Sequence, residues 1–251
     1  CEMDAILEVA RRHNLIVIED AAQGMLSQYK GRPLGSIGQM AALSFHETKN
    51  VISGEGGALL INDPHFIERA EILREKGTDR KKFFRGEIDR YTWVDIGSSY
   101  LPSDISAAFL WAQLEHADAI TARRRALWSR YHAAFAALER EGLMRRPVVP
   151  EHCLSNAHMY HFLLSSAAYR APFIKGLRAK GVHAVFHYVP LHSSPAGQKY
   201  GRAHGSMAHT DDFSARIVRL PLWLGLEHHL DHVIDAVSTE LRDLESSRTY
   251  G

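Results

Sequence analysis

Residues 15–23 read Leu-Ile-Val-Ile-Glu-Asp-Ala-Ala-Gln, and this stretch decides the fold class. The apolar run 15–18 is short and uninterrupted, which is typical of a strand in a sheet that is covered on both faces. The segment Met3–His13 before it has apolar residues at helical spacing. A helix followed by a buried strand, Leu15–Glu19, predicts an α/β fold, in which ligands bind at the carboxyl ends of strands. Asp20 follows this strand, although capping of the next turn is the commoner role of an isolated aspartate there.

A second polar motif, Ser-Phe-His-Glu-Thr-Lys-Asn at 44–50, overlaps the end of a predicted strand at Ala41–Phe45. Glycines within 54–57 predict a turn before another strand, Ala58–Ile61. A lysine in a pocket can form an imine with an aldehyde cofactor, and a nearby hydroxyl can bind its phosphate. A lone lysine is usually solvated, but Lys49 also has a hydroxyl five residues upstream and glycines downstream. This combination is more specific than any one of its members.

The remaining pattern predicts a second, smaller domain. Pro64–Lys76 has the apolar spacing of a helix, and residues 77–101 have little periodicity, which is typical of a long ordered loop. Ser103 can cap the next helix. The helical pattern continues through Ala119–Leu138, with a kink predicted near Asp118. The elements predicted after it are listed in chain order: strand His158–Leu164, helix Pro172–Lys180, strand Val182–Tyr188 and helix Glu227–Leu244. We therefore predict a large domain at 1–115, a helical connector at 116–146 and a small α+β domain at 147–251.

Composition excludes several classes of protein. Lys and Arg number 30 against 29 Asp and Glu, a formal net charge of +1, so no overall charge favours nucleic acid or an anionic membrane as a partner. No apolar run approaches the ~18–20 residues that a transmembrane helix needs. The two cysteines have no spacing typical of a disulfide framework or a zinc ribbon. These features favour a protein of the reducing cytoplasm.

In this order, Glu-Asp-Ala-Ala-Gln, Ser-Phe-His-Glu-Thr-Lys-Asn and Gly-Glu-Gly-Gly resemble the DegT/DnrJ/EryC1/StrS sugar aminotransferase family. The resemblance implies the pyridoxal-phosphate (PLP) fold type I, with a large α/β domain that is incomplete here and a small α+β domain. It also implies that Asp20 pairs with the pyridine nitrogen, which keeps the ring protonated and electron-accepting. By the same resemblance Gln23 contacts the ring oxygen side, Ser44 binds the phosphate, and Lys49 forms the Schiff base and then shuttles protons.

Residues 74–100, together with 156–159 and 185–192, are similar to the branch of this family that makes dTDP-4-amino-4,6-dideoxygalactose for enterobacterial common antigen, a lipopolysaccharide-related pathway. This similarity implies a dTDP-4-keto-6-deoxy sugar as acceptor and glutamate as donor. It also implies a homodimer in which a loop around Ser99 completes the partner's site. Many relatives have asparagine where this chain has Ser99, whose hydroxyl can still donate to a phosphate oxygen.

Two features of the family lie upstream of the strand at 15–18: a glycine-threonine phosphate turn and an aromatic residue stacked on the cofactor. The resemblance implies that roughly a third of the usual chain is missing, so that this chain alone is expected to be inactive and to bind PLP weakly. Two alternatives remain. Sugar dehydratases of the family carry histidine in place of Lys49, so the lysine favours transamination. An inactive PLP-fold scaffold remains the non-enzymatic alternative.

The sixteen histidines invite a metal hypothesis, especially at His183, His187 and His192 or at His158 and His161, but the spacing disfavours it. In an extended run, His183 and His187 lie about 13 Å apart, too far for one zinc ion. We therefore predict no metal site. His187 and Tyr188, just before a proline turn, and His192 after it are predicted to face the substrate; for the first two, packing within an aromatic strand is the alternative.

Overall fold

The computed structural model describes the backbone of residues 1–249 and the side chains of residues 1–246. The α-helices are α1 Met3–His13, α2 Ile67–Arg74, α3 Arg80–Phe84, α4 Asp104–Glu115, α5 Ala117–Ala134, α6 Ala136–Arg140, α7 Arg170–Ala179, α8 Pro195–Tyr200, α9 Ala208–Arg216 and α10 Leu230–Thr249. The strands are β1 Ile18–Asp20, β2 Gln28–Tyr29, β3 Arg32–Pro33, β4 Met40–Ser44, β5 Gly57–Ile61, β6 Met144–Arg145, β7 Cys153–Leu154, β8 Tyr160–Leu164 and β9 Ile217–Leu220.

The chain divides into two compact units. The first comprises Cys1–Thr121 and Glu151–Asn156, and the second comprises the rest. This division differs from the predicted boundaries, because residues 122–146 of the predicted connector belong to the second unit. The last two residues of the predicted small domain, 250–251, lie outside the described part of the chain.

The first unit contains a three-stranded sheet of order β1-β4-β5. β1 pairs parallel with β4, and β4 pairs antiparallel with β5. The strands predicted at Ala41–Phe45 and Ala58–Ile61 are confirmed with a shift of one residue at most. The helix predicted at Met3–His13 is confirmed as well, and it ends at Asn14, whose left-handed backbone (φ 51°) is a common helix C-cap.

The prediction of a strand at Leu15–Glu19 that is buried on both faces is wrong. Strand geometry begins only at Ile18, and Leu15, Ile16 and Ile18 are 56%, 57% and 63% exposed. β1 is an edge strand among the described residues, since it pairs only with β4, and the described elements leave the side chains of Leu15, Ile16 and Ile18 largely uncovered. An apolar run shows that a segment can be buried, but it does not show whether another element packs against it.

The buried side chain of Glu19 holds the loop before β4 against the end of β1. Its carboxylate is buried and accepts hydrogen bonds from the backbone N–H groups of Gly35 at 2.8 Å, Ile37 at 2.7 Å and Gly38 at 2.8 Å. Gly38 approaches β1 so closely that a Cβ atom there would lie 2.5 Å from the carbonyl oxygen of Val17. These contacts hold the loop before β4 against β1 and so position the residue that follows Glu19.

The middle of the first unit combines helices with an ordered loop. The helix predicted at Pro64–Lys76 is observed as a 3₁₀ turn, Pro64–Phe66, followed by α2. The loop predicted at 77–101 is ordered by backbone pairing but also contains α3, which its weak periodicity did not reveal. The predicted cap is confirmed: the Ser103 hydroxyl accepts from Ser106 N–H at 3.2 Å. The helix break falls at His116, close to the predicted kink.

The second unit has an antiparallel sheet of order β6-β8-β9 and a large apolar core. One face of the sheet is buried through Tyr160, Phe162 and Val218; Tyr160 packs against Tyr131 of α5, and Phe162 packs against Phe135, which follows α5. The predicted strand at His158–Leu164 and the predicted helix at Pro172–Lys180 are confirmed as β8 and α7. The final predicted helix is a 3₁₀ turn at Leu226–His228 followed by α10.

The strand predicted at Val182–Tyr188 is not formed. Only Val185 makes a bridge, antiparallel to Arg219 of β9. Tyr188 has a positive φ of 31°, which takes the chain out of extended geometry, and Pro190 has no N–H to donate. The distance of about 13 Å between His183 and His187 was inferred from strand geometry, so it does not apply to the observed structure.

Two features are absent from the residues that the structure describes: a cluster of metal ligands and a membrane-spanning helix. No group of three or more His, Cys, Asp or Glu side chains among the residues with described positions could hold a metal ion. Within the same part of the chain, no helix combines the length and the apolar character needed to cross a membrane.

Candidate functional site

Asp20 and Ser44 come from the carboxyl ends of two hydrogen-bonded parallel strands. Asp20 is in register with Ala42, so Ser44 lies two residues further along the neighbouring strand. Asp20 is exposed, and its Oδ1 accepts from Ala22 N–H at 3.1 Å. Asp20 therefore caps the turn that follows β1, which is the commoner role of an isolated aspartate at this position. Because it uses one carboxylate oxygen, the other can accept from a ligand.

Lys49 lies in a tight return between β4 and β5. Its N–H donates to His46 O at 2.9 Å, and Glu47 N–H donates to Gly54 O at 2.8 Å, which closes the loop. Ser44 Oγ accepts from His46 N–H at 3.4 Å, so the hydroxyl faces the start of the same turn. Lys49 is half-buried and takes part in none of the ion pairs of the described residues. Its amine is therefore not tied to a carboxylate.

Asn156 is a positioning residue that sequence reasoning did not single out. It is buried, and its Nδ2 donates to Gln23 O and to Met25 O, both at 2.8 Å. Asn50 Nδ2 in turn donates to Asn156 O at 2.9 Å. One buried residue thus ties the segment after Asp20 to the neighbour of Lys49. The only signal in the sequence is that Asn156 belongs to a segment with family resemblance, because its partners lie more than 100 residues away.

We predict that Asn156→Ala lowers the free energy of unfolding by about 1–3 kcal/mol, because it removes a buried side chain that donates to the partly buried carbonyl groups of Gln23 and Met25. Denaturant unfolding measures this loss. Gln198→Ala, which removes an exposed amide that donates to Ser193 O at 3.3 Å, is the control and should change stability by less than about 0.5 kcal/mol. Equal effects of the two substitutions would show that Asn156 does not organise the site.

The other two predicted cofactor-binding residues are less closely tied to this turn. The Gln23 side chain is exposed, and the network with Asn156 holds its backbone carbonyl. Ser99 is exposed and its backbone bridges Glu75, in the loop that precedes α4. The structure does not bring Ser99 into the hydrogen-bonded network of Asn156, so its role in a partner's site stays a prediction.

A cavity of about 240 Å³ lies in the first unit between the glycine turn after Lys49 and α4. Gly56 and Gly57 form one wall, and Ser106 and Trp111 contribute to the other. Neither Asp20 nor Lys49 lines this cavity. We therefore place the candidate site at the strand ends rather than in this cavity.

The predicted substrate-facing residues belong to the second unit. The rings of His187 and Tyr188 lie with centroids 5.0 Å apart, and the Arg219 guanidinium lies 5.7 Å from the Tyr188 ring centroid. Tyr188 is 71% exposed, whereas His187 is half-buried. His192 Nε2 lies 2.9 Å from Asp211 Oδ1, so an acidic partner already occupies it. The structure thus groups His187 and Tyr188 with an arginine that the sequence analysis did not select.

Two histidines of the second unit have lowered pKa values. Burial lowers the pKa of His161 below its ordinary value, and the charge of His187 lowers it further. Burial also lowers the pKa of His187, and the nearby charge of Arg219 adds to this effect. Neutral imidazoles donate from one ring nitrogen and accept at the other.

We predict that these histidines destabilise the fold in acid. Because their folded-state pKa values are lowered, the unfolded state binds protons more readily once the pH falls below the ordinary value of 6.5. The stability present above this pH is then lost as the pH falls through the folded-state pKa. Unfolding experiments across this range should show a shallower loss in His161→Gln than in the unchanged protein. If the stability of His161→Gln and of the unchanged protein depended on pH in the same way, His161 would not be a source of the instability in acid.

The chain belongs to the DegT/DnrJ/EryC1/StrS aminotransferase family, whose model matches residues 1–238. It is 33% identical over 239 residues to dTDP-3-amino-3,4,6-trideoxy-alpha-D-glucose transaminase of Streptomyces venezuelae, which covers 94% of this chain and 59% of the relative. It is 37% identical over 202 residues to GDP-perosamine synthase of Caulobacter vibrioides, covering 78% and 51%. The chain therefore spans between half and two thirds of the length of these relatives.

Solved structures give the same result for the fold. The aminotransferase TlmJ from Streptoalloteichus hindustanus superimposes with a TM-score of 0.84 at 28% identity, over 96% of this chain and 62% of that one. The S. venezuelae protein DesV, solved in complex with a ketimine intermediate, gives 0.83 at 32% identity, over 96% and 62%. The architecture is that of the α/β PLP-dependent transferases of fold type I, as the sequence motifs predicted.

Proposed function

We propose that the intact protein containing this chain is a PLP-dependent aminotransferase that moves an amino group from glutamate to C4 of a dTDP-4-keto-6-deoxy sugar, giving dTDP-4-amino-4,6-dideoxygalactose. The observation that carries the proposal is Lys49, half-buried and without a carboxylate partner, in a turn that follows Ser44 and lies in the same unit as Asp20. Membership of the family supports the class of reaction.

The residues at the strand ends fit PLP. The second oxygen of Asp20 can accept a hydrogen bond from a protonated pyridine nitrogen, and the hydroxyl of Ser44 can donate to a phosphate oxygen. The cofactor, when bound, supplies an aldehyde and an electron-accepting ring. The negative charge of Asp20 keeps the ring nitrogen protonated. A carboxylate for the ring nitrogen and a hydroxyl for the phosphate are therefore both present at the carboxyl ends of β1 and β4.

Lys49 carries the proton transfer in this proposal. Its Nζ atom would take the proton from the carbon that bears the donor's amino group and return it, as general acid, to the aldehyde carbon of the cofactor; with the keto-sugar the same transfer would run in reverse. Lys49 is half-buried as a residue and forms no ion pair with a described carboxylate. The network of Asn156 and Asn50 keeps the adjacent backbone in place, so that the amine returns to one position between the two half-reactions.

We propose that the active protein is a homodimer in which the loop that contains Ser99 completes the partner's site. Exposed large apolar side chains on this loop and on α4 support an interface there: Trp93 is 76%, Ile96 77% and Ile105 84% exposed. The predicted cytoplasmic location and the role in enterobacterial common antigen synthesis belong to the same proposal.

The choice of substrate rests on the resemblance of residues 74–100 and of the segments around 156 and 187, and it can be tested directly. The named relatives include one dTDP-3-amino-sugar enzyme and one GDP-sugar enzyme, so both the nucleotide and the aminated carbon must be examined. Purified intact protein is supplied with glutamate and, in turn, dTDP- and GDP-linked keto-sugars, and the products are identified by NMR. We expect an amine at C4 of the dTDP sugar with the galacto configuration. Amination at C3, or turnover of the GDP sugar alone, would contradict this substrate.

A further inference from the structure

The second unit presents a row of nitrogen-bearing side chains on the face of its sheet opposite the core. His161 of β8 is directly opposite Arg219 of β9, and Arg219 also bridges Val185 on its other side. Residues directly opposite one another share a face, and here that face is not the one that buries Tyr160 and Val218. His187 lies two residues beyond Val185, and its ring is 5.0 Å from that of Tyr188, over which the Arg219 guanidinium lies.

These side chains lack acceptors within the described part of the protein. Nδ1 of His161, Nδ1 of His187 and Nε of Arg219 are each buried and have no hydrogen-bond partner there. None of the three residues appears in an ion pair with a described carboxylate. Buried polar atoms in folded proteins nearly always have partners, so these three orphaned nitrogens need an explanation.

The backbone beside this cluster is strained. Tyr188 has a φ of 31°, a conformation that bulky residues rarely adopt and that is concentrated at ligand-binding sites. The strain places its ring next to His187, at 5.0 Å between centroids, and against the Arg219 guanidinium, at 5.7 Å. The ring thus forms one side of the cluster.

We propose that His161, His187 and Arg219 form a binding site for an oxyanion, a carboxylate or a phosphate group of a substrate. Arginine presents several donors in a planar fork that matches such groups, and imidazole nitrogens add further donors. A metal cation is disfavoured, because Arg219 would repel it and no carboxylate joins the two histidines. Resting on the proposed function, the two candidate sources are the carboxylate of glutamate and the diphosphate of the nucleotide sugar.

The test is a titration of the 251-residue chain, followed by NMR of the imidazole rings of His161 and His187. Three probes are added at constant ionic strength: inorganic pyrophosphate, glutamate and dTDP. We expect saturable shifts of both rings, with affinity weakened roughly tenfold or more in Arg219→Gln. The control is Arg130→Gln, which removes an exposed arginine paired with Asp231 at 2.5 Å and should leave the titration unchanged.

Saturation by glutamate would assign the site to the amino donor, and saturation by dTDP with pyrophosphate would assign it to the nucleotide. No saturable shift with any probe, or equal affinities in Arg219→Gln and Arg130→Gln, would overturn the proposal. Circular dichroism checks that each variant is folded; if Arg219→Gln is not, Arg219→Lys and His161→Gln take its place. Cofactor binding at Lys49 is measured separately in the intact protein, so anion binding without cofactor binding there would refute the proposed function and leave this site standing.

Discussion

Lys49→Ala is expected to reduce transamination by the intact protein at least about a thousandfold, because the substitution removes the amine that bonds the cofactor and moves the proton. Binding of the nucleotide sugar should change much less, since Lys49 lies in a turn closed by its own backbone hydrogen bonds and the substitution leaves these intact. The measurement is kcat and KM with saturating glutamate, alongside the affinity for the sugar.

The control for this variant is Lys30→Ala. Lys30 is exposed and pairs with Asp4 at 2.6 Å, a surface contact of the kind that contributes little. Activity within about twofold of the unchanged protein is expected for it. If Lys49→Ala retained activity similar to that of Lys30→Ala, another residue would have to carry the reaction.

Asp20→Asn is expected to lower kcat by about two to three orders of magnitude, with a much smaller effect on KM. The amide oxygen can still accept the hydrogen bond from Ala22 N–H, so the turn is preserved. What is lost is the negative charge that keeps a pyridine nitrogen protonated. Steady-state kinetics and the stoichiometry of bound cofactor together separate a defect in chemistry from a defect in binding.

Asp63→Asn provides a matched control, because Asp63 also caps a turn by accepting from a backbone N–H two residues on, at 3.0 Å. Both substitutions should have similar small effects on stability, and only Asp20→Asn should affect activity. Full activity in Asp20→Asn would mean that the aspartate caps its turn and does nothing more.

Features set by neighbours in sequence could be predicted, and features set by distant contacts could not. The strands at 41–45 and 58–61 and the cap at Ser103 depend on local pattern, and the structure confirms them. Burial of Leu15 and Ile18 depends on a covering element that apolar character does not supply. The strand at 182–188 was predicted from its composition, but the positive φ of Tyr188 and the lack of continuous pairing prevent it.

The candidate site divides in the same way. Asp20, Ser44 and Lys49 lie in short motifs whose order is readable, and the parallel register of β1 and β4 explains why two motifs 24 residues apart meet at one edge. Asn156 and Arg219 were not found, since each acts through residues distant along the chain. Register and burial are properties of the folded chain, and one sequence does not display them.

The measurement that tests the central claim most directly is the absorbance spectrum of the intact protein after addition of PLP, with Lys49→Ala beside it. We predict a band from the lysine-bound cofactor that is absent in Lys49→Ala and bleaches when glutamate is added. A well-folded protein that shows no band, or a band that survives in Lys49→Ala, would contradict the claim and favour a scaffold without catalytic activity.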